Sequence, residues 1–303
     1  MKKFFFINAE YVNTRLDRWF KKKVCSIPQS LLEKNIRKGN IRVNNKKEKS
    51  SYKLKLKDQI IINNFYFKSQ LTETKKHVYK ATKNESSTLS NLFIENNENF
   101  VVINKPPSIS VQSGTKSKKN ILDILKYTEE FKNTTPYPVH RLDKETTGVL
   151  IVAKNRKYAQ LFTTLFRIRK IHKTYLGIVI GVPMKNKGTL IDELLFYEGK
   201  KKIYSKAITH YEVLDTNNRF SILKLNPQTG RKHQIRKQLL IHGCPILGDS
   251  KYRTTINHLK KKDMLMLHAY KINFSIANTK YNYSADPPSY FQKTLNQKFL
   301  KIS

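Results

Sequence analysis

The sequence predicts an α+β protein in two parts, and three observations carry that reading. Beyond residue 92, strand-like apolar runs outnumber amphipathic helical ones and never alternate with them as βαβ units do. That pattern favours a mixed, largely antiparallel sheet with flanking helices. The first 63 residues carry a pattern of their own, two short helices followed by alternating strands. Between the two, residues 64–91 are polar with little periodicity, through Thr72-Glu73-Thr74-Lys75-Lys76 and Asn84-Glu85-Ser86-Ser87-Thr88. Such a stretch reads as a linker. The expected division is therefore 1–63, a linker over 64–91, and a larger domain over 92–303.

The first segment starts a helix near Arg15-Leu16-Asp17-Arg18, with Leu16, Trp19 and Phe20 on one face at i, i+3, i+4 spacing. A second helix follows Pro28, with Ser30 as the expected cap, Leu31, Leu32 and Ile36 as its apolar face, and an end near Lys38-Gly39. Ile41 and Val43, then Leu54, Leu56, Ile60 and Ile62, alternate with polar residues as strands do. In the larger domain, Asn99-Phe100-Val101-Val102-Ile103 is a short buried strand delivering Asn104-Lys105-Pro106-Pro107 to a rigid loop. Val149 to Ala153 is β-branched and aliphatic enough to be buried, and Ala159, Phe162 and Phe166 mark an amphipathic helix after it. Tyr175–Gly181, Ile208–Leu214 and Phe220–Leu225 read as strands, Lys232–Ile241 as a helix closed by His242-Gly243. The clean alternation from His268 to Ile276 is the best strand signal in the chain.

Lys and Arg number 59 against 22 Asp and Glu, a net charge of +37. A field of that size predicts salt-sensitive attraction to phosphate polymers. A lysine-rich composition bias explains part of it, but Arg15, Arg18, Arg37, Arg42, Arg141, Arg231 and Arg236 sit inside motifs rather than in Lys-rich spacers. Cys25 and Cys244 are far apart and outside any Cys/His cluster, so neither a zinc site nor a disulfide framework is expected. The apolar run at Phe4-Phe5-Phe6-Ile7 is too short for a secretory core, and no run approaches membrane-spanning length, so a cytoplasmic protein is expected.

The run Pro138-Val139-His140-Arg141-Leu142-Asp143-Lys144-Glu145-Thr146-Thr147-Gly148 sets one carboxylate between a polar turn and the strand at Val149. With Val149-Leu150-Ile151-Val152-Ala153 it resembles the catalytic motif of the RluA-type pseudouridine synthases, which act on large-subunit ribosomal RNA and some transfer RNAs. Further blocks match in order: Asn104-Lys105-Pro106-Pro107 upstream, then His172-Lys173-Thr174-Tyr175-Leu176-Gly177, with Tyr175 lying 175 − 143 = 32 residues after the aspartate. Pro227-Gln228-Thr229-Gly230-Arg231-Lys232-His233-Gln234-Ile235-Arg236 and Gly243-Cys244-Pro245-Ile246-Leu247-Gly248-Asp249 complete the set, and the resemblance covers about residues 92 to 290. Ser30 to Asn44, with Arg37-Lys38-Gly39-Asn40-Ile41-Arg42-Val43, resembles the αL RNA-binding module of a small-subunit ribosomal protein. Departures are Gln112 and the pair Lys237-Gln238, where the family often shows histidine and Val-His.

The resemblance implies the pseudouridine synthase fold, preceded by a small RNA-binding domain. It implies Asp143 as the catalytic carboxylate, Tyr175 as the aromatic wall and proton-moving hydroxyl, and Arg236 as the partner of Asp143. Arg141, Lys105, Arg231, Arg15, Arg18, Arg37, Lys38 and Arg42 are expected to contact RNA. Isomerising uridine adds and removes nothing, so no cofactor or metal is called for; the expected partner is large-subunit ribosomal RNA or its precursor, and the expected state a monomer. His140 and His233 are expected to be structural. Two other readings compete: a non-catalytic RNA-binding assembly factor, and a glycoside hydrolase. The latter needs two carboxylates around a sugar, and beside Asp143 only Glu145 and Asp249 offer themselves.

Overall fold

In the computed structural model the described residues are 2–25, 27–63, 79–113, 119–198, 201–253 and 263–302. They fall into two compact units, Met1–Lys76 and His77–Ser303. Residues 64–78, most of the expected linker, lie outside the described residues.

The smaller unit runs β1 (Lys2–Phe6), α1 (Leu16–Lys23), α2 (Gln29–Lys38), β2 (Ile41–Val43) and β3 (Gln59–Asn63). Its sheet has the order β1-β3-β2, both pairings antiparallel. Leu16, Trp19, Phe20, Leu32, Ile36, Ile41, Val43, Leu54, Ile60 and Ile62 form its core. Two expectations need correction. The second helix begins at Gln29 behind Pro28, so Ser30 lies inside it rather than capping it, and Leu31 faces solvent. Leu54 and Leu56 lie outside the strand, because a turn through Lys57, at φ +67°, breaks the extended run before β3.

The larger unit opens with α3 (Lys83–Ser90), where the sequence reading expected linker. Its helix is nucleated by a capping box: Thr82 Oγ1 accepts from Glu85 N, and the Glu85 carboxylate accepts from Thr82 N. Then follow β4 (Phe93–Asn96), β5 (Phe100–Lys105), α4 (Ile121–Leu125), β6 (Tyr137–Pro138), β7 (Thr147–Ala153) and α5 (Arg156–Arg167). β8 (His172–Ile180), β9 (Lys187–Glu198), β10 (Lys201–Thr216), β11 (Phe220–Pro227), α6 (Gln234–Ile241), β12 (Leu267–Ile276), β13 (Thr279–Ser284) and α7 (Ser289–Gln297) complete it.

The strands form one mixed sheet in the order β4-β5-β7-β12-β8-β11-β10-β9, with β6 added to β7 and β13 to β12. β7 and β12 run parallel; every other described pairing is antiparallel. This is the mixed, largely antiparallel α+β sheet expected. β9 was not legible: Leu190 and Leu194, four apart, are its buried residues, a spacing helices use, and its full-length pairing with β10 makes it a strand. All seven residues of β7 are buried because the sheet carries packed layers on both faces, with Leu150 and Val152 in one cluster and Val149 and Ile151 in the other.

The parallel contact between β7 and β12 fixes the Thr-Thr-Gly turn. Gly148 has φ +104°, and a Cβ there would lie 2.1 Å from the carbonyl oxygen of Ala269 on β12. No side chain fits that approach, so the loop carrying Asp143 enters β7 at a position only glycine can take.

Candidate active site

Three stretches of chain line a cleft of about 1010 Å³ in the larger unit: the loop before β7, the span from the end of α5 into β8, and the loop from β11 into α6. Asp143 is the only carboxylate among the described residues lining it, and Arg141, Arg167, Arg169, Lys173, Arg231 and Arg236 line the same walls. A lone anion in such a cationic cleft suits a ligand that brings its own negative charges.

The backbone around Asp143 is pinned from several sides. Thr146 N donates to Asp143 O at 3.2 Å, closing the turn. Lys105 Nζ donates to Lys144 O (2.9 Å) and Pro106 O (2.8 Å), tying the end of β5 to the residue after Asp143. Lys105 is fully buried, which corrects its expected role: an ammonium enclosed in this way meets no phosphate, and burial pushes its pKa down to about 7. His140 Nε2 accepts from Ile151 N at 2.8 Å and the ring stacks on Phe166 at 4.8 Å. Burial pushes its pKa down to about 3, so it is neutral and structural, as expected.

Arg236 reaches Asp143 from the first turns of α6. Its Nη1 donates to Asp143 Oδ2 at 3.2 Å, while Nε and Nη2 donate to Asp249 Oδ2 and Oδ1 at 2.7 and 2.8 Å. The bidentate side of the guanidinium is thus spent on Asp249, and the remaining edge is aimed at Asp143. Asp249 is fully buried and also accepts from Lys251 N and Tyr252 N, both at 2.9 Å. Burial opposes its charge, but the hydrogen bonds from Arg236 and the two backbone donors outweigh it, leaving its pKa below the ordinary value. Burial likewise works against Arg236, and the bonds and charge of Asp249, with those of Asp143, more than offset it. Asp249 therefore belongs to the site as an orienting group, a part sequence reasoning did not assign. A signal existed: a buried arginine presents five N–H donors, and one catalytic carboxylate cannot satisfy them.

Tyr175 sits in β8, paired with Ala269 of β12 and Leu225 of β11, and lines the cleft. Burial, with a contribution from the charge of Asp143, raises its pKa well above the usual phenol range. The hydroxyl is neutral at physiological pH and makes no hydrogen bond to any described residue. His233 is closer to the chemistry than expected. Its Nε2 lies 3.6 Å from Asp143 Oδ1 and its Nδ1 lies 2.9 Å from Tyr252 OH. Burial holds its pKa below the ordinary value even though Asp143 opposes this, so a neutral ring faces the carboxylate.

The remaining motif residues build the walls. Gln234 accepts from Thr229 Oγ1 (2.7 Å) and Arg231 N (3.0 Å) and donates to Ile208 O (3.1 Å), locking the Gln-Thr-Gly-Arg loop onto β10. Arg141 and Arg231 are exposed on the cleft wall. Gln238 is buried and bonds Thr209, Asp192 and two backbone carbonyls, a structural use of the departure at that position. Among the described residues no group of three or more His, Cys, Asp or Glu could hold a metal ion. No described helix is long and apolar enough to cross a membrane.

Residues 99–240 match the family described as RNA pseudouridylate synthase. A ribosomal large subunit pseudouridine synthase C of Rickettsia felis is 32% identical, the match covering 92% of this chain and 95% of that protein. The chain belongs to the RNA pseudouridylate synthase family. It is an RNA pseudouridine synthase, an isomerase. The enzyme of the same name from Buchnera aphidicola subsp. Schizaphis graminum is 30% identical to this synthase, with 96% of each chain covered. Of solved structures, Human RNA Pseudouridylate Synthase Domain Containing 4 matches with a TM-score of 0.63 and 27% identity, over 75% of this chain and 98% of that one. Human RNA Pseudouridylate Synthase Domain Containing 1, 21% identical with a TM-score of 0.55 over 65% of this chain and 83% of that one, shares the fold.

Proposed function

We propose that this synthase converts specific uridines of large-subunit (23S) ribosomal RNA to pseudouridine, with Asp143 supplying the anionic nucleophile or base. The observation that carries the assignment is the lone carboxylate in a cationic cleft, held by an arginine that is itself clamped from behind by Asp249. The reaction breaks the N1–C1′ bond, turns the uracil and joins C5 to C1′, with the C5 proton lost and N1 taking up a proton, so that the net change is an isomerisation. It needs the uridine extruded from its stack into an enclosed site. Arg236 positions Asp143, and Tyr175 walls the uracil with a neutral ring whose hydroxyl is free to bond the base. Arg141, at the cleft surface, fills the gap the flipped base leaves or holds a phosphate.

The large-subunit target is supported by the names of the Rickettsia and Buchnera relatives, both called ribosomal large subunit pseudouridine synthase C. A glycoside hydrolase would need a second carboxylate across the sugar, and Asp249 is fully buried against Arg236. In the smaller unit we assign Arg18, Arg37, Lys38 and Arg42 to RNA binding; Arg15 is engaged by Asp17, with Nη2 donating at 2.7 Å. We further propose that the enzyme works in the cytoplasm, where ribosomal RNA of a bacterial cell is made, and as a monomer. The test is tritium release from large-subunit RNA transcribed with [5-³H]uridine. Purified enzyme should release tritium and the Asp143→Asn variant none. Release of free uracil instead would identify a hydrolase.

A further inference from the structure

We propose that His233 and Tyr252 form a second positioning arm for Asp143: the Tyr252 hydroxyl donates to His233 Nδ1, fixing the ring as the Nε2–H tautomer and aiming that N–H at Asp143 Oδ1. The proposal rests on the functional reading above and adds two residues to the machinery around its carboxylate.

The direction of the bonds follows from which atoms can donate. Arg236 Nη1 takes Asp143 Oδ2 at 3.2 Å, and His233 Nε2 stands 3.6 Å from Oδ1. An ionised carboxylate only accepts, so a bare Nε2 lone pair there would be repelled, and the proton belongs on Nε2. In a neutral ring Nδ1 is then an acceptor, and its neighbour at 2.9 Å, the Tyr252 hydroxyl, is the donor. The opposite tautomer would let His233 donate to Tyr252 but would set lone pair against lone pair at Asp143. A separation of 3.6 Å is a contact rather than a hydrogen bond, and contacts of this kind often tighten only when substrate is bound.

Both groups keep the protonation state this needs. Burial holds the His233 pKa below its ordinary value; Asp143 opposes this, while Arg236, Lys251 and Lys232 add to it. Burial also raises the Tyr252 pKa, against the pull of Arg236 and with help from Asp249 and Asp143, so the phenol keeps its proton. Tyr252 is itself anchored twice. Its backbone N donates to Asp249 Oδ1 at 2.9 Å, and the Arg236 guanidinium lies 5.1 Å from its ring centroid. One short stretch, Asp249 to Tyr252, therefore holds both partners of Asp143: Asp249 clamps Arg236, and Tyr252 clamps His233. Met at its two oxygens from two sides, the carboxylate is held in one orientation toward the reacting nucleoside.

The experiment uses the full-length enzyme and measures kcat and KM for tritium release from large-subunit RNA by the parent, His233→Phe, His233→Gln and Tyr252→Phe. His233→Phe keeps a ring and loses the donor, so kcat should fall about 10–100-fold with KM little changed, as expected for one hydrogen bond to a charged group. His233→Gln returns an N–H near the Nε2 position and should recover much of that loss. Tyr252→Phe should lower kcat by a smaller factor, again with KM held. The tautomer is read separately, from the imidazole nitrogen shifts of enzyme labelled with ¹⁵N-histidine, His233 being assigned by its absence from His233→Gln. The parent should show the Nε2–H form, and in Tyr252→Phe the Nδ1 resonance should move toward that of an unbonded acceptor nitrogen. Parental kcat in His233→Phe, or equal losses in His233→Phe and His233→Gln, would overturn the positioning role. An Nδ1–H tautomer in the parent, or an Nδ1 shift unchanged in Tyr252→Phe, would overturn the part given to Tyr252. A parent that shows the Nε2–H tautomer yet releases no tritium would overturn the functional reading on which the positioning role rests.

Discussion

Replacing Asp249 with asparagine separates the orientation of Arg236 from its charge. Oδ1 of Asp249 accepts from Arg236 Nη2, Lys251 N and Tyr252 N, and Oδ2 accepts from Arg236 Nε. An asparagine has one acceptor oxygen, so its amide N–H₂ must face either Arg236 Nε or the other three donors, and a donor–donor clash is unavoidable. Breaking a buried ion pair by removing one partner costs about 3–5 kcal/mol, and an isosteric amide that keeps some of the bonds should sit near about 3. At about 2–4 °C per kcal/mol for a unit of this size, Tm should fall by about 6–12 °C. Arg236 then loses its anchor, and a displacement of about 1 Å at the reacting groups can cost about 100-fold in rate. The expected kinetic signature is a kcat down by about that factor with KM little changed. Asp249 titrates below its ordinary pKa of 3.8 in the fold, so the unfolded chain binds more protons as the pH falls past that value. The parent's stability advantage over Asp249→Asn should be complete above pH 3.8 and shrink below it. Thermal melts across pH, with steady-state kinetics at neutral pH, measure both. An Asp249→Asn enzyme with parental Tm and kcat would show that Arg236 is held by something else.

Tyr175→Phe keeps the ring and Tyr175→Leu removes it; if the hydroxyl takes part in moving the C5 proton, both should lose tritium release alike, whereas a Phe variant at full rate would reduce Tyr175 to a wall. Lys105 has its pKa pushed down to about 7 from an ordinary 10.5. The unfolded chain binds more protons between those values, so stability should rise with pH across that window, and Lys105→Met should flatten the rise in pH-dependent melts. That variant should also lower kcat, because the carbonyl after Asp143 loses its donor. Deleting residues 1–76 should leave a folded larger unit that modifies RNA at saturation, with weaker binding. Each lost phosphate contact should flatten the slope of log K against log salt by about 0.7–0.9, and an unchanged slope would show that the smaller unit does not bind RNA.

The parts of this molecule legible in sequence are those written in local pattern. Buried strands such as Val149–Ala153, the helix faces of Trp19 and Phe162, and the motif around Asp143 needed only periodicity or ordered blocks. What escaped depends on partners distant in sequence. β9 is a strand because β10 pairs with it along its length, not because of its own spacing. α3 carries little apolar pattern, and its capping box fixes its start. Lys105 reads as a surface cation until the fold encloses it under the Asp143 loop. Asp249 and His233 enter the site only when the Gly-Asp turn and the start of α6 meet; a Cβ at Gly248 would lie 1.8 Å from Met264 O, an approach that delivers Asp249 beneath Arg236.

The central claim is that Asp143 drives isomerisation of uridines in large-subunit RNA, and one measurement addresses it directly. Ribosomal RNA from a strain lacking the gene, complemented with either the parent or Asp143→Asn, is mapped for carbodiimide-dependent reverse-transcription stops. The account predicts stops at a small set of large-subunit uridines with the parent and their complete absence with Asp143→Asn, although both proteins bind the RNA with equal affinity. Stops that persist with Asp143→Asn, or that fail to appear with the parent, would contradict it.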